Sequence, residues 1–122
     1  MSLNVLRINT DLECEVVDIS EGDVLKNMQA IVGGLVEVAY LDEDCSMWLN
    51  EEGKLDHLPV NMVATVLWKF AYSGEDFIVG DVFLTGPSDE EGYAMSLAFD
   101  KVEKYKRLIS HLKDLMMGDA DD

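Results

Sequence analysis

Apolar residues recur along this chain with two periods, and the places where the period changes mark the elements. Leu3-Asn4-Val5-Leu6-Arg7-Ile8 and Glu13 to Ile19 alternate well enough to be strands, and Asn9-Thr10-Asp11 between them is turn chemistry, so the first segment predicts a hairpin. Val24, Leu25, Met28, Ile31 and Val32 then fall on one helical face. Ser20 with Asp23 has the form of a capping box before this helix, and Gly33-Gly34 stops it, because glycine enters the left-handed region without a Cβ clash. The alternation returns in Leu35-Val36-Glu37-Val38-Ala39-Tyr40 and in Cys45 to Asn50, with an acidic turn between them. Glu51-Glu52-Gly53-Lys54 predicts a second tight turn, with Gly53 at a positive φ.

Beyond Pro59, Asn61 is placed to cap a short helix through Val63, Val66, Leu67 and Phe70. Phe77 to Leu84 is apolar enough for a central strand, and Gly86 to Gly92 predicts an exposed loop. From about Ser96, Val102, Tyr105, Leu108, Ile109, Leu112, Leu115 and Met116 hold a helical register that ends at Gly118. The expectation is one α+β domain over residues 1–117: an antiparallel sheet of about five to six strands, a helix in the N-terminal half, a short middle helix and a long C-terminal helix. Residues 118–122 are expected to be a disordered acidic tail.

Charge changes this picture from a fold into a surface. The 122 residues hold 25 Asp and Glu against 9 Lys and Arg, a net −16, while 48% hydrophobic content still supplies a core. Polyanionic nucleic acid and anionic membrane surfaces would repel such a chain, so neither is an expected direct partner. The balance is uneven. Residues 1–99 carry 4 basic and 19 acidic side chains, giving −15, whereas residues 100–113 of the last helix carry 5 basic and 2 acidic, giving +3. The acid is densest in predicted turns: Asp42-Glu43-Asp44, Glu51-Glu52 and Asp89-Glu90-Glu91. Acidic turns keep a small protein soluble; carboxylates along an edge can also occupy a basic groove that normally holds nucleic acid. The basic helix, through its apolar stripe or its charged side, could pair two copies of the chain.

Candidate chemistry is thin. No Gly-x-Ser-x-Gly, phosphate loop or Gly-x-Gly-x-x-Gly occurs, so no catalytic residue is assigned and no cofactor is expected. His57, His111, Cys14 and Cys45 lack metal-ligand spacing, the acidic runs do not match a calcium loop, and no metal is expected. The start of the chain has no basic segment followed by a long apolar one, and nothing approaches the ~20 apolar residues of a membrane helix, so reduced cysteines and a cytoplasmic location are expected. Trp68 and Phe70 read as core; Trp48, beside an acidic turn, reads as an exposed anchor. Trp48, Asn50, Lys54 and Asn61 together form a candidate pocket for a nucleotide-type ligand.

The runs Ile31 to Val38, Asn50 to Leu55, Leu58 to Asn61 and Ile78 to Val82, taken in order, resemble a family of small proteins from phages, plasmids and mobile elements whose function is unknown. The resemblance spans most of residues 3–97 and leaves the final helix as an individual extension. It implies an accessory protein of a mobile element, some members being encoded near antirestriction genes, and it supplies no catalytic residues. Its matching signature positions are Asn50, Glu51, Glu52, Gly53, Lys54 and Asn61, which by their own chemistry are turn and cap residues. The resulting expectation is a non-catalytic protein that sets an acidic surface against a basic host protein.

Overall fold

A computed structural model describes residues 2–117; the expected acidic tail, 118–122, lies outside the described residues. Five strands form one antiparallel sheet in the order β2-β1-β5-β4-β3. They are β1 (Ser2–Ile8), β2 (Cys14–Ser20), β3 (Val36–Asp42), β4 (Cys45–Asn50) and β5 (Val82–Thr85). Two hairpins, β1–β2 and β3–β4, lie on either side of β5, which joins them by pairing with β1 (Leu6 opposite Leu84) and with β4 (Trp48 opposite Phe83). The architecture is thus the expected α+β arrangement with an antiparallel sheet and three helices.

The imperfect alternation of the strands has a plain cause: both sheet faces are covered. Side chains on a strand point alternately to opposite faces. Leu3 and Val5, with Ile19 and Phe83, pack under α1 (Val24–Val32), which adds Met28 and Val32. Leu6, Ile8, Cys45, Met47, Leu49, Val82 and Leu84 point the other way. There they meet Val63, Ala64 and Leu67 of α2 (Met62–Ala71) and Val102, Tyr105 and Ile109 of α3 (Phe99–Met117). The apolar stripe of α3 is therefore taken up by the chain's own sheet, and among its apolar residues Phe99, Leu115 and Met116 stay exposed.

Three local expectations change. The capping box before α1 does not form: Glu21–Asp23 is a 3-10 turn, and neither Ser20 nor Asp23 makes a side-chain cap bond. The helix still ends on Gly33, at φ 82°, whose N–H reaches the Gln29 carbonyl. The apolar run from Phe77 is a strand only from Val82; before it, Val60 and Val79 form an isolated bridge, and Ile78 is held by a side chain, Thr65. Phe70 is 78% exposed instead of buried. The strand that α2 packs against is β3, at the sheet edge, so its last turn overhangs the core.

Candidate functional site

A cleft of about 290 Å³ opens on the face that carries α2. Its walls come from four places: Glu37 and Ala39 of β3, the end of β4 with the loop through Leu55, Trp68 of α2, and Asp76 to Val79. Asn50 holds the loop. Its side-chain amide donates to the Val32 carbonyl at 3.1 Å, its Oδ1 accepts from the Glu52 N–H at 2.8 Å, and its carbonyl accepts from Gly53 at 3.3 Å. Gly53 is not at a positive φ; a Cβ there would lie 2.7 Å from Cγ2 of Val79, so the position demands closeness and not an unusual backbone. The opposite wall is held by the Thr65 hydroxyl, which accepts from the Ile78 N–H at 2.9 Å, and by the Asn61 N–H, which donates to the Ile78 carbonyl at 2.8 Å.

The cleft is acidic. Glu37, Glu51, Glu52 and Asp76 line it against one cation, Lys54. That cation is already engaged: its ammonium pairs with Asp76 and lies 4.6 Å from the centre of the Phe77 ring. The hydrogen bond from Lys54, helped by the Phe77 N–H, holds the Asp76 carboxyl below its usual range. Both partners are solvent-exposed, so the pair adds little stability. Its consequence is that an anionic ligand would have to compete with Asp76 for Lys54.

The predicted acidic positions separate into two groups. The Asp42-Glu43-Asp44 turn and Asp89-Glu90-Glu91 both lie at the end of the sheet where β3 and β5 finish. Glu51 and Glu52 follow the other end of β4, ~17 Å away at ~3.4 Å per residue. All eight side chains are exposed. Asp42 and Asp89 shape their own turns, accepting from Asp44 at 2.7 Å and from Glu91 and Tyr93 at 2.9 Å.

The predicted pocket residues disperse as well. Trp48 is no exposed anchor: it faces α1, stacks on Phe83 with centroids 6.0 Å apart, and donates its indole N–H to the Thr85 hydroxyl at 2.9 Å. Asn61 is fully buried and capping α2. Only Asn50 and Lys54 reach the cleft. Sequence reading missed Glu37 and Asp76, and it placed Trp68 in the core and Phe77 in a strand. The one local signal was Glu37, the only charge in the run Leu35 to Leu41.

Elsewhere, Arg7 is clamped between Asp81 at 2.7 Å and Glu15 at 3.2 Å, which raises its pKa mainly through the Asp81 hydrogen bond. Cys14 and Cys45 are free thiols. Burial pushes the Cys45 thiol from its ordinary 9.0 up to about 11, partly opposed by a hydrogen bond from Tyr105. A raised pKa in the folded state means that this contribution is whole below pH 9.0 and is lost as pH rises toward about 11. The unfolding free energy should fall by about 2–3 kcal/mol over that interval. Urea titrations at its two ends test this, and Cys45→Ala should show a smaller fall. Among the described residues, no group of three or more His, Cys, Asp or Glu side chains is arranged to hold a metal. None of the described helices is long and apolar enough to cross a membrane.

The fold and cleft together define a class: an antiparallel sheet between one helix and two, with an acidic cleft beside an edge strand. The chain belongs to the family described as Domain of unknown function (DUF3846), which matches residues 1–110. The match continues into α3 as far as Ser110, so most of the last helix is part of the family domain and not an extension peculiar to this chain. No curated protein and no solved structure matches the chain.

Proposed function

We propose that this protein is a non-catalytic interaction module that binds a basic surface on a partner protein. The observation that supports this reading is the uncompensated charge. The ion pairs seen among the described residues engage only Glu15, Asp44, Asp76 and Asp81, against a net −16 for the chain. Exposed carboxylates at both ends of the sheet keep a negative field over much of the surface, which favours encounter with a basic partner and disfavours nucleic acid. Following the family resemblance, the partner would be a bacterial host protein that handles nucleic acid or takes part in defence, and the chain an accessory protein of a phage or mobile element. The two acidic groups would then stand in for backbone phosphates.

A nucleotide-type small ligand is the weaker alternative. The cleft presents four carboxylates, and its lysine is already paired with one of them. The immobilised protein should capture a basic protein from bacterial lysate at low ionic strength and release it near 1 M salt, where the Debye length falls to about 3 Å. The captured enzyme's nuclease or restriction activity should fall when the protein is added. No salt-sensitive partner, and no effect on either activity, would sink the reading.

A further inference from the structure

The β3 edge and the cleft beside it act on the same space. The Leu35 carbonyl accepts from the Glu51 N–H at 2.8 Å, which turns the backbone groups of odd-numbered residues of β3 toward β4. The even-numbered residues must then point theirs outward, and the Tyr72 hydroxyl, donating to the Tyr40 carbonyl at 2.8 Å, confirms it. Val36 and Val38 therefore present N–H and C=O groups along the outer edge of the sheet, and Tyr40 adds its N–H. The side chains follow the same parity: Val36, Val38 and Tyr40 face the α1 side, Tyr40 being 60% exposed, while Glu37 and Ala39 face the cleft.

We propose that the outer edge of β3 and the adjoining cleft dock an extended segment of a partner protein, added antiparallel as a further strand, with apolar and basic residues at alternate positions. The proposal rests on the reading of this chain as a module for basic partners and names how such a partner is held. A strand added at the usual ~4.8 Å spacing continues both faces of β3. Its residues on one face meet Val36, Val38 and Tyr40. Those on the other extend past Glu37 over a cleft that also holds Glu51 and Glu52 and is walled by Trp68. Lysine or arginine fits there through carboxylates and aromatic faces together, as Lys54 already does against Asp76 and Phe77.

Charge complementarity selects this occupant over a second copy. Pairing β3 with itself would set Glu37 of each chain over the acidic cleft of the other, between two molecules of −16 each.

The test uses a fluorescein-labelled peptide, Lys-Val-Arg-Val-Lys-Val, titrated with the full chain and read by polarisation. The same peptide N-methylated at every backbone amide keeps its charge and cannot add as a strand. It should bind at least about tenfold more weakly. Glu37→Gln should weaken the unmodified peptide severalfold and flatten its salt dependence. Val38→Pro, which removes an outward N–H at an edge position where proline is tolerated, should abolish binding. If that variant does not fold, the two peptides compared on the unaltered protein still decide the matter. Equal binding of both peptides would overturn strand addition while leaving the basic-partner reading intact. Absence of peptide binding would overturn it too, and the lysate experiment judges the broader reading separately. A concentration-dependent dimer lost in Val38→Pro would overturn the assignment of the occupant.

Discussion

Replacing Asn61 by alanine should lower the unfolding free energy by about 2–4 kcal/mol, a large part of the total stability of a small domain. The side chain is fully buried and uses its whole amide. Its Oδ1 accepts from the Ala64 N–H at 3.0 Å, capping α2, and its amide nitrogen donates to the carbonyls of Ile8 at 3.1 Å and Gly80 at 2.9 Å. Loss of a cap costs about 1 kcal/mol. The Gly80 carbonyl would be left buried without its side-chain donor, at about 1–3 kcal/mol, while the Ile8 carbonyl, which faces β5 opposite Val82, would lose one of two donors. Asn61→Asp separates these contributions: it keeps an acceptor for Ala64 but turns a carboxylate oxygen toward two carbonyl oxygens, so it should be no better tolerated than alanine. Guanidinium titrations of the three proteins at pH 7 give the comparison. A loss below about 1 kcal/mol for Asn61→Ala would mean that the cap alone matters.

Gly86→Ala should cost about 3 kcal/mol, through overpacking against backbone that has nowhere to go. A Cβ at this position would sit 2.4 Å from the Ser96 carbonyl oxygen and 3.3 Å from that of Met95. The surrounding chain is anchored: Gly86 N–H donates to Met95 at 2.8 Å, and Leu97 N–H donates to Asn4 of β1 at 3.0 Å. Relief would have to shift the segment that leads into α3 and carries Leu97 into the core. Gly22 is the control, since a Cβ there meets nothing within 4 Å, and Gly22→Ala should be neutral or slightly stabilising. Melting curves of the two variants should diverge by about 10 °C or more. Equal melting temperatures would show that residues 95–97 yield cheaply.

These two residues also show how differently parts of the chain can be read. Asn61 announces itself: a cap residue after Leu-Pro-Val and before a helical run predicts α2, and the structure keeps that bond. Its other two bonds, to Ile8 and Gly80, join chain segments far apart in sequence and leave no local trace. Gly86 read as one more loop glycine, yet it is buried against a strand-like return. The signature positions Asn50, Gly53 and Asn61 all hold the walls of the cleft in place. Glu51, Glu52 and Lys54 stand at its rim, and only the fold brings them to Glu37, Trp68, Asp76 and Phe77.

By itself the sequence determined the sequence of elements, the helix stop at Gly33, the Asn61 cap and the segregation of charge between the acidic body and the basic last helix. Each of these follows from residues within a turn or two of one another, where periodicity and side-chain chemistry act directly. Tertiary structure alone decided that the three acidic runs divide between opposite ends of the sheet, that Trp48 packs inward on Phe83, and that β3 is left as an edge beside an acidic cleft. Strand order is the physical reason. β5 enters between the two hairpins by long-range pairing, and that insertion places β4 inside, β3 outside, and every turn at its end of the sheet.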